Sequence, residues 1–451
     1  MIALTLLPPV LALSLAFLTR NVVLSLLSGL VLAEVLMAQG DPFTGFMGSV
    51  DRMTGVYASP NNTQIIIFCL LVGALINLMQ KSGGIAATVQ HLIRSGAVGT
   101  QRRASMATAL TGMMLFIETN ISILTAGVLG RPIFDRLQMS RERLAYIVDS
   151  TCAPISVLIL LNGWGAYALG LVEPYVEDKA ISVLAGSIPL NVYAILTIVI
   201  VLYTAWTGRL FGPLRSSRTE LSDDQETDEP TQAAYMVIPA SVLVFGSLGF
   251  MLITGEGSIL EGDGARSVLM AMCLATTALV IMLAFSNRFG PGQITKTAFD
   301  GIGTIVPAVT VIFLSLALGD SLRALGTGDV IASLATAFPA AFAFPALMFI
   351  AAAATSFSIG TSWGTYGILI PVAMPLALGA DLPPSLMLAA VLGGGVFGDH
   401  ASPISDTTLI ASLAAGCDHI EHVRTQLPYA LAAAGAASVL YLVMGMVALM
   451  S

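Results

Sequence analysis

The chain has 451 residues, of which 56% are hydrophobic and only 10% charged, and its formal net charge is −8. A soluble protein of this length does not carry so apolar a composition, with a mean hydropathy of +0.87, so the chain reads as a polytopic membrane protein. The acidic balance comes partly from Glu220, Asp223, Asp224, Glu226, Asp228 and Glu229 in one polar stretch, and it gives no reason to expect a nucleic acid partner.

In chain order, the opening run to Thr19 has no basic n-region, is interrupted by Pro8-Pro9 and is followed by Arg20, so it reads as a retained first span rather than a signal peptide. Runs long enough to cross about 30 Å of hydrocarbon follow at Val22–Ala38, Gln64–Met79, Pro189–Trp206, Ala234–Ile253, Ser267–Phe285, Thr304–Leu322 and Pro428–Leu449. Four other runs are interrupted: Ala104–Gly130 at Glu118-Thr119-Asn120, Leu144–Leu171 between Asp149 and Pro154, Phe342–Leu378 between Gly360 and Gly364, and Leu386–Gly416 between Gly398 and Pro403. Cys69, Cys152, Cys273 and Cys417 are scattered, which fits free thiols.

Basic residues near span ends stay cytoplasmic. Treating Ala104–Gly130 as a hairpin that enters and leaves on the same side puts fifteen basic residues inside and only Arg52, Lys179, Arg266 and Arg323 outside. That orientation places both termini outside and the linker inside a cell (inner) membrane. The two halves also echo each other, because Ala153-Pro154-Ile155-Ser156 reappears as Ser402-Pro403-Ile404-Ser405 and Phe116–Pro132 parallels Ser358–Pro375. The expected fold is therefore an all-α polytopic membrane protein made of inverted-topology repeats, with two re-entrant hairpins and two broken helices. Residues 1–208 form the first repeat, 209–233 a polar cytoplasmic linker and 234–451 the second repeat. Inverted repeats with broken helices are a transporter signature, with the substrate held near the midplane where the breaks meet.

The interruptions carry the chemistry. A charge near the bilayer centre costs roughly 2.5–3.5 kcal/mol and freed backbone groups cost more, so such polar segments are kept where they line a cavity. Glu118, Asp149, Asp399 and Asp406 supply hard oxygens and negative charge. Thr119, Asn120, Ser150, Thr151, Thr361, Ser362, Ser402 and Ser405 supply neutral oxygens, and carbonyls freed at Pro154 and Pro403 complete a set suited to sodium. Asp399 and Asp406, seven residues apart around Pro403, are the candidate sodium ligands, and with His400 they are the candidates for coupling to protons. Desolvation favours the protonated form of a carboxyl group, so a proton can compete with sodium for one aspartate. Bland alternatives stand beside these. Asp149 can pair with Arg143 or cap a helix, His400 can tune Asp399 or cap a half-helix, and Trp164 and Trp363 either wall a solute cavity or pack on glycine. Glu34 and Asp320 read as solvated interfacial carboxylates, and Cys417, His419 and His422 as a short cytoplasmic loop without zinc-ligand spacing.

Gly398–Thr408, the stretch from Gly416 through His419, His422 and Gln426 to Ala430, and Gly360-Thr361-Ser362-Trp363-Gly364-Thr365 resemble the NhaC family of sodium/proton antiporters. Arg131-Pro132, Ser140–Tyr146 and Asp149–Pro154 resemble its branch with an acidic first hairpin. In that branch two acidic residues usually stand at the hairpin tip, whereas Glu118 is followed here by Thr119. The resemblance implies a secondary active transporter, not an enzyme, with sodium and protons as its partners in the lipid bilayer and no cofactor. Because the family also contains exchangers of organic solutes, the alternative is a sodium- or proton-coupled carrier of a small cationic, zwitterionic or carboxylate solute. An elevator-type motion and a homodimer are implied by analogy with related carriers.

Overall fold

In a computed structural model the chain is built from α-helices, with no strand among the described residues. The structure describes residues 2–450 except 20, 93–98, 115, 117–118, 160, 177–178, 218–230, 259–261, 287–288 and 339. Glu118 and most of the polar linker therefore lie outside the described residues.

The first half comprises α1 (Ile2–Thr5), α2 (Leu7–Thr19), α3 (Val22–Met37), α4 (Pro42–Gly55), α5 (Pro60–Lys81) and α6 (Gly84–Leu92). A helical hairpin, α7 (Gln101–Met114) and α8 (Thr119–Arg136), comes next, followed by α9 (Arg141–Ser156), α10 (Gly163–Val176), α11 (Ala180–Leu190) and α12 (Val192–Thr207). The second half comprises α13 (Ala234–Thr254), α14 (Gly264–Ala284), α15 (Pro291–Ala324) and α16 (Thr327–Ala337). A second hairpin, α17 (Phe344–Ile359) and α18 (Ser362–Gly379), then leads to α19 (Pro384–Ala401), α20 (Asp406–Ala415) and α21 (His419–Ala448). Short polar side chains start many of these helices: Asn21, Asp41, Ser59 and Asp263 each accept a backbone N–H from the first turn, and Pro42 and Pro60 take positions where no N–H is needed.

Eight helical segments among the described residues are long and apolar enough to cross a membrane. The outer face is apolar as well, with Phe245 and Ile253 of α13 both 72% exposed, as expected of side chains that meet lipid. Inside, helices approach through small residues. A Cβ on Gly301 of α15 would stand 2.2 Å from the Gly73 carbonyl oxygen of α5, and one on Gly398 of α19 would stand 2.3 Å from the Phe357 nitrogen of α17. Close backbone contact of this kind holds membrane helices together where water supplies no hydrophobic drive. The packing is reciprocal. Each hairpin lies on the broken helix of its own half, α8 on α9 and α18 on α19, and also reaches the other half, α8 against α20 and α18 against α10.

Three local readings change. Helix α9 runs through Pro154 and ends at Ser156, so the helix is not interrupted between Asp149 and Pro154. Hydroxyls support the carbonyls near the proline, with Thr151 Oγ1 donating to the Ile147 oxygen at 2.7 Å and Ser156 Oγ to the Cys152 oxygen at 2.9 Å. Helix α21 begins at His419, well before Pro428, because Asp418 Oδ1 caps it by accepting the Glu421 N–H at 2.8 Å. Glu34 is buried rather than interfacial. It accepts from Arg52 Nε at 2.8 Å and Ser321 Oγ at 2.5 Å where α3, α4 and α15 converge. Asp320 sits near the end of α15 and pairs with Arg323.

Candidate functional site

The second hairpin turns at Gly360, whose φ of +72° is the left-handed conformation that glycine adopts without strain. A Cβ there would stand 2.5 Å from the Ile404 carbonyl oxygen, so the hairpin tip sits directly on the break between α19 and α20. Ser402 Oγ fixes this contact by donating to the Phe357 carbonyl at 2.6 Å. The break then places the Asp399 carboxylate, 2% exposed, under the tip. Its Oδ2 accepts from Ser362 Oγ at 2.5 Å and Ser362 N at 3.3 Å, and its Oδ1 accepts from Ser405 Oγ at 2.6 Å and Thr407 Oγ1 at 3.2 Å.

These four donors are neutral, and among the described residues no lysine or arginine pairs with Asp399. Hydrogen bonds to a charged group are worth about 1.5–3 kcal/mol each, whereas withdrawing a carboxylate from water costs several kcal/mol and leaves its charge uncompensated. A bound cation or a proton would supply the compensation. Each hydroxyl that donates to the carboxylate also has lone pairs to offer an arriving ion. Thr407 is an addition to the residues singled out from sequence, and its position one residue into a helix start marks it.

Asp406 differs from Asp399. It is exposed, and with Thr361, Trp363 and Trp164 it lines a cavity of about 350 Å³ whose other walls come from α5 and α15. The two tryptophan rings lie 5.2 Å apart, and Tyr167 stacks on Trp363 at 5.3 Å. The Pro403 carbonyl lies 2.7 Å from His419 Nε2.

Among the described residues, the first hairpin meets its break through neutral groups. Thr119 Oγ1 lies 3.0 Å from Ser156 Oγ, while Asn162 Nδ2 donates to the Phe116 oxygen at 3.0 Å and the Ser156 oxygen at 2.8 Å. Asn162 Oδ1 meanwhile caps α10 through the Trp164 and Gly165 N–H groups. This asparagine was not distinguished in the sequence, although its place just before Gly163-Trp164 is that of a helix cap. Glu118 and the side chain of Asn120 lie outside what the structure describes.

Asp149 and Ser150 do not join the Asp399 cluster. Asp149 Oδ2 accepts from Gln426 Nε2 at 2.7 Å and meets His422 Nε2 at 3.3 Å, so its partners lie on α21 rather than at Arg143. Ser150 Oγ lies 3.1 Å from His400 Nε2, whose other ring nitrogen is 2.8 Å from the Tyr193 hydroxyl. His400 therefore faces α9 and α12 and caps no half-helix. His422 is a fully buried helical residue, not part of a loop; Cys417 Sγ and His419 Nδ1 both meet Ser412, whereas His422 meets Asp149. Burial pushes the Cys417 thiol up to about 12, and among the described residues no group of three His, Cys, Asp or Glu side chains is placed to hold a metal ion.

The sequence profile described as the Na+/H+ antiporter family matches residues 157–446, more than half of the chain. An uncharacterized protein of Haemophilus influenzae is 31% identical over 97% of this chain and 90% of its own length. The arginine/ornithine antiporter ArcD of Halobacterium salinarum is 31% identical over 44% of this chain and 41% of its own length. Among solved structures, the YdaH transporter of Alcanivorax borkumensis superposes with a TM-score of 0.59 at 16% identity, over 87% of this chain and 86% of that one, a likeness of fold.

Proposed function

We propose, because this chain belongs to the Na+/H+ antiporter family, that it takes up its sodium ion at the Asp399 carboxylate beneath the second hairpin. The protein is a multi-pass membrane protein and a secondary active sodium/proton antiporter rather than an enzyme. The observation that carries the site is a buried carboxylate held by four neutral donors with no basic partner. Ser362, Ser405 and Thr407 offer the ion further oxygens, and Thr361 and Asp406 form its approach from the adjoining cavity.

The reciprocal hairpin packing supports reading residues 1–208 and 234–451 as inverted repeats joined by the linker 209–233, with α7–α8 and α17–α18 re-entrant. The distribution of basic residues supports placing both termini outside the cell (inner) membrane, and the resemblance to inverted-repeat carriers supports a homodimer. A cysteine introduced at Ser222 should react only with reagents that reach the cytoplasm; labelling from outside intact cells would reverse the orientation.

A second reading is favoured by the cavity. Two tryptophan faces beside one carboxylate in about 350 Å³ suit a small organic ammonium compound, through cation–π and ionic contacts, better than a lone sodium ion. Purified protein in liposomes decides between them. Sodium flux driven by an imposed pH gradient, without any organic solute, supports the first reading, and flux that requires an organic solute on the opposite side supports the second.

A further inference from the structure

A second buried polar cluster joins the two halves away from the Asp399 site. Asp149 of α9, Tyr193 of α12, His400 of α19, and His422 and Gln426 of α21 are each no more than 1% exposed. One amide nitrogen links the cluster, because Gln426 Nε2 donates both to Asp149 Oδ2 and to the His400 carbonyl. That pair of acceptors fixes the amide orientation. Three polar atoms have no hydrogen-bond partner: Asp149 Oδ1, Gln426 Oε1 and His422 Nδ1. Buried polar atoms without partners are rare and call for an explanation, whether an ordered water, an ion or a chemical role.

The charges show what is missing. With His422 neutral, Asp149 is a buried carboxylate whose two donors are an amide and an imidazole, and its charge stands uncompensated. The titratable groups that interact with it, besides His422, are His400, Tyr193 and Asp399, and no lysine or arginine hydrogen-bonds to Asp149 among the described residues. One added proton turns His422 into an imidazolium that keeps its contact to Asp149 Oδ2 and gains a second donor at Nδ1. The buried pair is then neutral overall.

We propose that the Asp149–His422 pair is the proton site of this antiporter, distinct from the sodium site at Asp399. His400 follows Asp399 in the chain, and its carbonyl shares the Gln426 amide with Asp149, so the two sites lie in one connected low-dielectric region. Sodium arriving at Asp399 repels the imidazolium, and the proton on His422 leaves to water. One positive charge enters as one departs. Proton and sodium thus oppose each other across the interface between the halves instead of sharing a carboxylate.

The inference rests on Asp399 as the sodium site, and the test separates the two. Purified protein is titrated with sodium in weakly buffered solution while binding is followed by calorimetry and proton release by an indicator dye. Wild type should release about one proton per sodium, and its apparent sodium affinity should change up to about tenfold per pH unit, as linkage of one proton to one ion requires. His422→Gln and Asp149→Asn should still bind sodium but release no proton, with an affinity that changes less than about twofold over the same range. Either variant folded and releasing protons as wild type does would overturn the proposal. Because the chain has only four histidines, isotope-labelled histidine in the wild-type protein gives a check without substitution. One buried imidazole should be doubly protonated without sodium and lose a proton on saturation, and no sodium-dependent change in any imidazole would overturn the proposal. Wild type that binds no sodium, or Asp399→Asn that binds it normally, would instead overturn the Asp399 reading.

Discussion

Among the described residues, the two hairpin junctions share a frame and differ in charge. At the second, Ser362, Ser405 and Thr407 surround the Asp399 carboxylate; at the first, Thr119, Ser156 and Asn162 close the same kind of contact with neutral groups among the described residues. Register explains part of this. Asp399 stands four residues before Pro403, while Asp149 stands five before Pro154, and Ser150 holds the matching position. One residue along a helix is about 100° of rotation. Asp149 therefore turns toward α21 while Asp399 turns toward the hairpin tip.

The sharpest way to break the comparison is to neutralise the charged junction. Asp399→Asn keeps the side-chain volume and removes the charge, so sodium-driven flux in liposomes should fall by about two orders of magnitude or more, the scale of losing a buried charge contact worth about 2–5 kcal/mol. Normal expression and folding should accompany the loss, and stability lost in equal measure would return Asp399 to a structural role. Asp406→Asn probes the exposed neighbour. Its smaller effect, about tenfold on apparent affinity, follows from a carboxylate already solvated in the cavity, and flux measured against sodium concentration reads it.

The neutral junction should respond in stability instead. Asn162→Ala removes a helix cap and the link from hairpin to break, so thermal unfolding should show a loss of about 1–2 kcal/mol, with sodium affinity within twofold of wild type. A large affinity loss there would make the first junction part of the ion site. Smallest in transport is Glu34→Gln, remote from both junctions. It leaves Arg52 and Ser321 with a neutral partner, so stability should drop by about 1–3 kcal/mol while flux stays near wild type.

Much of the site was legible because polar residues inside apolar runs are expensive and therefore conspicuous. Asp399, Ser362 and Ser405 were singled out in this way, and the structure groups them. Tyr193 and Asn162 were not singled out, Gln426 and Thr407 stood only within the motifs of the family resemblance, and His422 was assigned to a loop although Asp418 and Glu421 have the spacing of a capping box that starts a helix ahead of it. Once that helix begins at His419, His422 and Gln426 lie four apart on one face.

The sequence by itself determined the membrane class, the helical fold and the antiporter resemblance, because composition and periodicity are properties of short stretches and survive without knowledge of neighbours. Tertiary structure alone decided which polar groups meet. Asp149 and His422 are 273 residues apart in the chain and 3.3 Å apart in space, and their meeting depends on how α9 and α21 rotate against each other. Rotation of that kind is set by close packing of many small and apolar side chains at once, and no local pattern encodes it.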